Sequence, residues 1–117
     1  MKILVVEDDN WWAENTARTL EKLKHQVVTV SHAVGAIEVI DGFQPEALIL
    51  DMILTGETGM ALLHELQTYH DTSKLPVILM SSLDNLNLDD LIPYGVKRIL
   101  DKATMEPGDL AAAVNAL

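Results

Sequence analysis

Hydrophobic residues in this chain alternate between two kinds of segment. Short apolar or β-branched runs stand at 3–6, 27–30, 47–50, 77–80 and 96–100. Three of them, ILVV, ALIL and VILM, are hydrophobic without interruption, which suits strands of a parallel sheet covered on both faces. Between the runs, apolar residues recur at helical spacing: Ala13, Ala17 and Leu20; Ala33, Ala36, Ile37 and Ile40; Gly59, Leu62, Leu63 and Leu66; Leu110, Ala113, Val114 and Leu117. Each set marks one stripe of a helix resting on a core. Start signals accompany the stripes. Asp9 or Asn10 is suited to cap the first helix and Ser31 the second, and Pro107 suits the first turn of the last. Residues 84–94 match neither period, because Leu86, Leu88, Leu91 and Ile92 are irregularly spaced and Pro93 cannot continue a helix interior without losing a hydrogen bond.

Five strands alternating with helices predict an α/β fold. Parallel neighbours need right-handed helical crossovers, and the common five-stranded solution is a flavodoxin-like doubly wound sheet in the order 2-1-3-4-5, with helices on both faces. No repeat or low-complexity linker divides the chain, and Pro45, Pro76, Pro93 and Pro107 stand singly at element boundaries, so residues 1–117 read as one domain. A folded chain of this mass exposes roughly 6,300 Å² of the roughly 18,700 Å² open in the unfolded state. That core needs no disulfide or structural metal.

Composition narrows the function classes. The chain has no cysteine, which excludes a disulfide framework, thiolate-bound metals and thiol catalysis. The apolar run at 3–6 is followed at once by Glu7-Asp8-Asp9, far short of a signal peptide or a membrane span, so a cytoplasmic protein with no membrane partner is expected. Eighteen acidic residues against eight Lys and Arg give a formal charge of −10. Basic residues cluster only at Lys22/Lys24 and Lys97-Arg98, so no direct contact with nucleic acid is expected.

Ligands of doubly wound sheets bind at the carboxyl ends of the strands, near the point where the strand order reverses. The polar residues there are Glu7-Asp8-Asp9 after the first strand, Asp51 after the third, Ser81-Ser82 after the fourth and Asp101-Lys102 after the fifth. With strands one and three adjacent, Glu7, Asp8 and Asp51 converge, faced by Ser81 and Lys102. Carboxylates so close repel one another unless a cation intervenes. An all-oxygen donor set favours Mg²⁺, with Mn²⁺ as the alternative, and Mg²⁺ leaves room in its shell for a phosphate oxygen. A lysine and a hydroxyl opposite complete a cradle for a phosphoryl group, with a carboxylate as acceptor.

The stretches ILVVEDD, ALILDM followed by Gly59, PVILMSS and RILDK, in that order along the whole chain, resemble the receiver domain of two-component response regulators of the chemotaxis-regulator type. The resemblance implies that Asp51 accepts phosphate from the phosphohistidine of a sensor histidine kinase or phosphotransfer protein. It implies that Asp8 and Asp51 bind Mg²⁺, that Glu7 helps through water and that the Ile53 carbonyl is a further ligand. Lys102 would contact the phosphoryl group, and Ser81 holds the position of the switch hydroxyl. Phosphorylation would then alter contacts with a downstream protein, the domain being a monomer or a phosphorylation-dependent dimer.

Some positions depart from the family pattern. Ile99 replaces the usual aromatic of the fifth strand, Ala103 the proline after the lysine, Thr55 a common proline, and Ser82 a common Ala or Gly. The chemistry is thus better supported than the usual output, and the irregular segment near Ser81, residues 82–95, is the expected responder. On this reading the domain is no dedicated enzyme, only a protein with incidental Mg²⁺-dependent self-phosphorylation and autodephosphorylation. The competing reading is a receiver-like interaction module that is not phosphorylated. A phosphohydrolase is disfavoured because Ile53 stands where a second acid is needed, two residues after Asp51. His25, His32, His64 and His70 have no ligand spacing, and of the adjacent Trp11 and Trp12 one is expected to pack and the other to be exposed.

Overall fold

The computed structural model describes residues 1–54, 57–83 and 85–117, so Thr55 and Asp84, both of which entered the sequence reading, lie outside the described residues. Its elements are β1 (Lys2–Val6), α1 (Asn10–Lys22), β2 (Gln26–Val30), α2 (Ala33–Phe43), β3 (Ala47–Leu50), β4 (Ile53–Leu54), β5 (Glu57–Thr58), α3 (Gly59–Gln67), β6 (Val77–Ser81), α4 (Leu88–Leu91), a 3₁₀ turn (Ile92–Tyr94), β7 (Val96–Asp101) and α5 (Asp109–Asn115). The five long strands form one parallel sheet in the order β2-β1-β3-β6-β7, the predicted 2-1-3-4-5 arrangement. The short antiparallel pair β4–β5 was not foreseen, because two-residue strands carry no readable period.

Strand alternation divides the core between the two faces. Leu4, Val6, Leu48, Leu50, Val77 and Leu79 pack beneath α2 and α3. Ile3, Val5, Ile49, Ile78 and Met80 pack beneath α1 and α5 with Leu20, Leu110 and Val114. Every residue of β3 and β6 is buried, as unbroken apolar runs require. The exposed area of 6426 Å² agrees with the scaling from chain mass. On the edge strand β7 the register against β6 slips between Val77 and Ile78, which leaves Lys97 as an extra residue. The bulge lets Val96 and Ile99 face the same core while Lys97 and Arg98 stay in solvent.

Helix ends correct the sequence reading in places. Asp9 caps α1, accepting a hydrogen bond from the Trp12 N–H. The N-cap of α2 is His32 rather than Ser31, and its side chain makes no capping bond. Pro107 precedes the last helix, whose N-cap is Gly108, and Leu117 lies beyond its end. The irregular segment forms a single α-turn capped by Asn87, then a 3₁₀ turn holding Pro93 and ending at Gly95 with φ 86°, a left-handed conformation that suits glycine.

Gly59 allows the closest approach in the fold. A Cβ there would sit 2.6 Å from the Asp51 carbonyl oxygen and 2.8 Å from the Met52 Cα, so the start of α3 abuts the backbone that carries Asp51. Gly42, within α2, has open space around it. Gly59→Ala is expected to cost about 1–3 kcal/mol by overpacking. Gly42→Ala is expected to gain up to about 1 kcal/mol through helix propensity. Urea unfolding of the two variants checks the contrast, and equal effects would contradict it.

Candidate functional site

Backbone pairing continues past the ends of the long strands and sets the polar residues level. The Glu7 N–H donates to the Val30 carbonyl at 3.0 Å, the Asp51 N–H to Val6 at 3.1 Å, and the Lys102 N–H to Ser81 at 2.9 Å. Glu7, Asp51 and Lys102 keep the side-chain parity of Val5, Ile49 and Leu100, so all three lean toward the α1–α5 layer. Their carboxylates and ammonium meet there. The Lys102 Nζ donates to Glu7 Oε1 and, at 3.0 Å, to Asp51 Oδ2. The other oxygens are engaged by backbone: Asp51 Oδ1 accepts from the Ile53 N–H at 3.1 Å, and Glu7 Oε2 from the Asp9 N–H at 3.3 Å.

Carboxylate oxygens of Glu7, Asp8 and Asp51 lie within 4.8 Å of one another. Glu7 and Asp51 are buried, and Asp8 is half-buried at the mouth of a cleft of about 390 Å³ also lined by Trp12, Ile53, Ser82 and Lys102. The donor set is hard oxygen throughout, so this cluster can hold a divalent cation of the Mg²⁺ or Mn²⁺ type. With every group ionised, three carboxylates and one ammonium leave a local formal charge of −2, which such an ion would balance.

Burial raises the Glu7 carboxyl to about 7. The hydrogen bond from Lys102 opposes that rise, the negative charge of Asp51 adds to it, and the Asp9 N–H lowers it again. For Lys102 burial acts downward, but hydrogen bonds to Glu7 and Asp51, with their charges, outweigh it and hold the ammonium above its ordinary range. The lysine therefore stays charged.

Of the residues singled out in sequence, Glu7, Asp8, Asp51 and Lys102 come together and Ile53 joins them at the cleft. Ser81 does not face the cleft. It has the parity of Val77 and Leu79, is fully buried, and accepts from the Leu83 N–H at 3.2 Å, while Ser82 lines the opening. Ile99 packs in the core on the same side as Ser81. The tryptophans divide as expected: Trp11 is 62% exposed and Trp12 packs toward the α1–α5 core. What sequence reasoning missed is that the Trp12 ring lies under the Lys102 Nζ, 5.0 Å from its centroid, a cation–π contact. No local signal marks this contact, since the two residues stand ninety apart in the chain.

Among known proteins, the response regulator receiver domain family matches residues 3–115, nearly the whole chain, and the chain belongs to that family. It is 33% identical over 85 residues to the response regulator protein GraR of Staphylococcus epidermidis, and 29% identical over 87 residues to the response regulator MprA of Mycobacterium avium. These stretches cover 73% and 74% of this chain but 37% of either relative, so the chain spans well under half their length. Among solved structures, the BeF3-activated N-terminal receiver domain of Klebsiella pneumoniae RstA superposes with a TM-score of 0.83 at 30% identity, covering 99% of this chain and 97% of that one. A CheY-like receiver domain from Methylobacillus flagellatus, 21% identical with a TM-score of 0.84 over 99% of this chain and 97% of that one, shares the fold. The protein is thus a receiver domain of the response regulators. Among the described residues no helix is long and apolar enough to cross a membrane.

The raised Glu7 pKa has a sign that can be tested. Folding favours the protonated form, so the contribution to stability is complete below pH 4.5 and is lost as pH rises through about 7. Its size is as much as about 3 kcal/mol. Without divalent cations, the parent should lose stability relative to Glu7→Gln, which cannot titrate, when unfolding is compared at about pH 4 and pH 8. A constant difference between the two proteins would contradict the assignment.

Proposed function

We propose that Asp51 accepts a phosphoryl group from the phosphohistidine of a sensor histidine kinase or phosphotransfer protein, and that the modification switches contacts with a downstream protein. One observation carries this reading: a buried carboxylate at the end of β3 with an ammonium 3.0 Å away, both opening on a cleft. In the transfer the P–N bond of the phosphohistidine breaks, its electron pair returning to the imidazole, and a P–O bond forms to an Asp51 oxygen. Asp51 is held for this by the Ile53 N–H on one oxygen and Lys102 on the other, which fixes the carboxylate plane. Lys102 remains charged and stabilises the phosphoryl oxygens as negative charge builds on them.

Asp8, Asp51 and the Ile53 carbonyl, with Glu7 acting through water, would hold Mg²⁺ or Mn²⁺, which would supply further counter-charge to the phosphoryl oxygens. The same chemistry gives incidental self-phosphorylation from small phosphodonors and slow hydrolysis of the acyl phosphate. A cytoplasmic location fits the cysteine-free, acidic composition.

For output, the Ile99 side chain is stiff and half-buried, so it offers no ring to turn between core and solvent. The Ser81 hydroxyl instead holds the Leu83 N–H. Its movement toward a phosphoryl group would release that bond and shift residues 82–95, whose described residues form one α-turn and a 3₁₀ turn.

Acetyl phosphate with Mg²⁺ is expected to add one phosphoryl group by intact mass, and Asp51→Asn to abolish the addition while keeping the fold by circular dichroism. Hydrogen exchange with beryllofluoride should change at residues 82–95. Equal labelling of parent and Asp51→Asn would refute the acceptor assignment. Failure of both to label would favour an interaction module that works without phosphorylation.

A further inference from the structure

On the face of the sheet covered by α2 and α3, the two helices leave an open groove between them. One part, about 440 Å³, is bounded by Val34, Ile37 and Glu38 of α2 and by Ala61, Leu62 and Glu65 of α3. A second, about 290 Å³, continues from Ile37 past Asp41 and Leu66 to Tyr69 and Asp71. Ile37 borders both, so the two parts adjoin along α2. Along α2 the lining residues 34, 37, 38 and 41 make a single stripe of i, i+3, i+4 and i+7. That stripe is roughly 10 Å long, the length of two turns of a helix laid beside it. Alanines at 33 and 61 keep the walls apart, and Val34 at the rim is 66% exposed.

The charge around this apolar floor has one sign. Glu38 and Asp41 stand on the α2 side, Glu65 and Asp71 on the α3 side, and no Lys, Arg or His lines either part. Neither α2 nor α3 contains a lysine or arginine. Among the described residues the ion pairs are those of Lys102, on the other side of the sheet, and none involves this rim. The Glu65 carboxylate accepts a hydrogen bond from the Tyr69 hydroxyl at 3.3 Å, which holds the half-exposed ring at the end of the groove. An apolar slot two turns long between rows of carboxylates is complementary to a helix with an apolar stripe flanked by cations. A second copy of this chain, at −10, is a poor match for the same surface.

We infer that the α2–α3 groove is a docking site for a basic amphipathic helix of a partner protein. The site is separate from the acidic cluster, and the inference does not depend on phosphorylation of Asp51.

The probe is a synthetic peptide of four helical turns with leucines at i, i+3, i+4 and i+7 and lysines elsewhere, set against a scrambled peptide of the same composition. Affinities come from fluorescence anisotropy, and the site from amide chemical shifts of the whole protein. The patterned peptide should bind at least tenfold tighter than the scrambled one and shift amides of α2 and α3. Two changes should each weaken it roughly tenfold: the paired reversal Glu38→Lys with Glu65→Lys, and Ala61→Phe, which fills the slot from an exposed helix position. The circular dichroism spectrum and urea unfolding midpoint of Ala61→Phe should stay close to those of the parent, which confirms an intact fold. Equal binding of the scrambled peptide, or shifts centred on Glu7, Asp8 and Asp51, would overturn the proposal. So would self-association of the parent that Ala61→Phe abolishes, which would assign the groove to a second copy.

Discussion

The Lys102 ammonium lies against the carboxylates of Glu7 and Asp51, and the rest of the site depends on that contact. Two buried acids on adjacent strands would otherwise repel at short range in a poorly solvated place, and one would have to stay protonated. A single lysine compensates part of that charge. The three carboxylates with Asp8 still outnumber the one ammonium, and this excess suits the strand ends to a divalent cation. Trp12 adds an aromatic face beneath the ammonium, so Lys102 is held from several directions rather than free to swing into solvent.

The sheet makes this arrangement without strain in its own packing. β3 and β6 are buried along their length and β1 from Ile3 onward, and the strand order puts Glu7 and Asp51 on neighbouring strands while Lys102 reaches in from the edge. Side-chain parity then separates two roles. The charged residues point toward α1 and α5, and Ser81 with Ile99 belongs to the opposite layer, where the short α4 lies. The cleft residues and the Ser81–Leu83 contact thus approach one another at the end of β6. Gly59 brings the start of α3 against the backbone of Asp51 and Met52, so Asp51 is held by backbone packing as well as by its hydrogen bonds.

Much of this was legible in the chain because parallel sheets write themselves plainly. Unbroken apolar runs marked β1, β3 and β6, and the polar residues just after them named the site. Features set by three-dimensional context were not legible. The β4–β5 pair is too short for any period, and α2 is preceded by His32 as its N-cap where Ser31 had the better capping chemistry. Ser81 was expected to face the carboxylates, but its burial and its bond to Leu83 follow from strand parity, which becomes decisive only once the sheet is registered. The stacking of Lys102 on Trp12 requires the approach of residues ninety apart in the chain, beyond any local pattern.

The central claim is that Glu7, Asp8, Asp51 and Lys102 form one coordination and charge-balancing unit rather than an acidic surface. Calorimetric titration of Mg²⁺ tests it most directly, with parent, Asp8→Asn and Asp41→Asn compared at one ionic strength. Asp41 carries the same charge far from the cluster, on the α2–α3 groove. The account predicts one site in the parent, a loss of roughly tenfold or more in affinity for Asp8→Asn, and a parental curve for Asp41→Asn. Equal weakening by the two substitutions would contradict it, because diffuse attraction to a protein of −10 would then explain the binding.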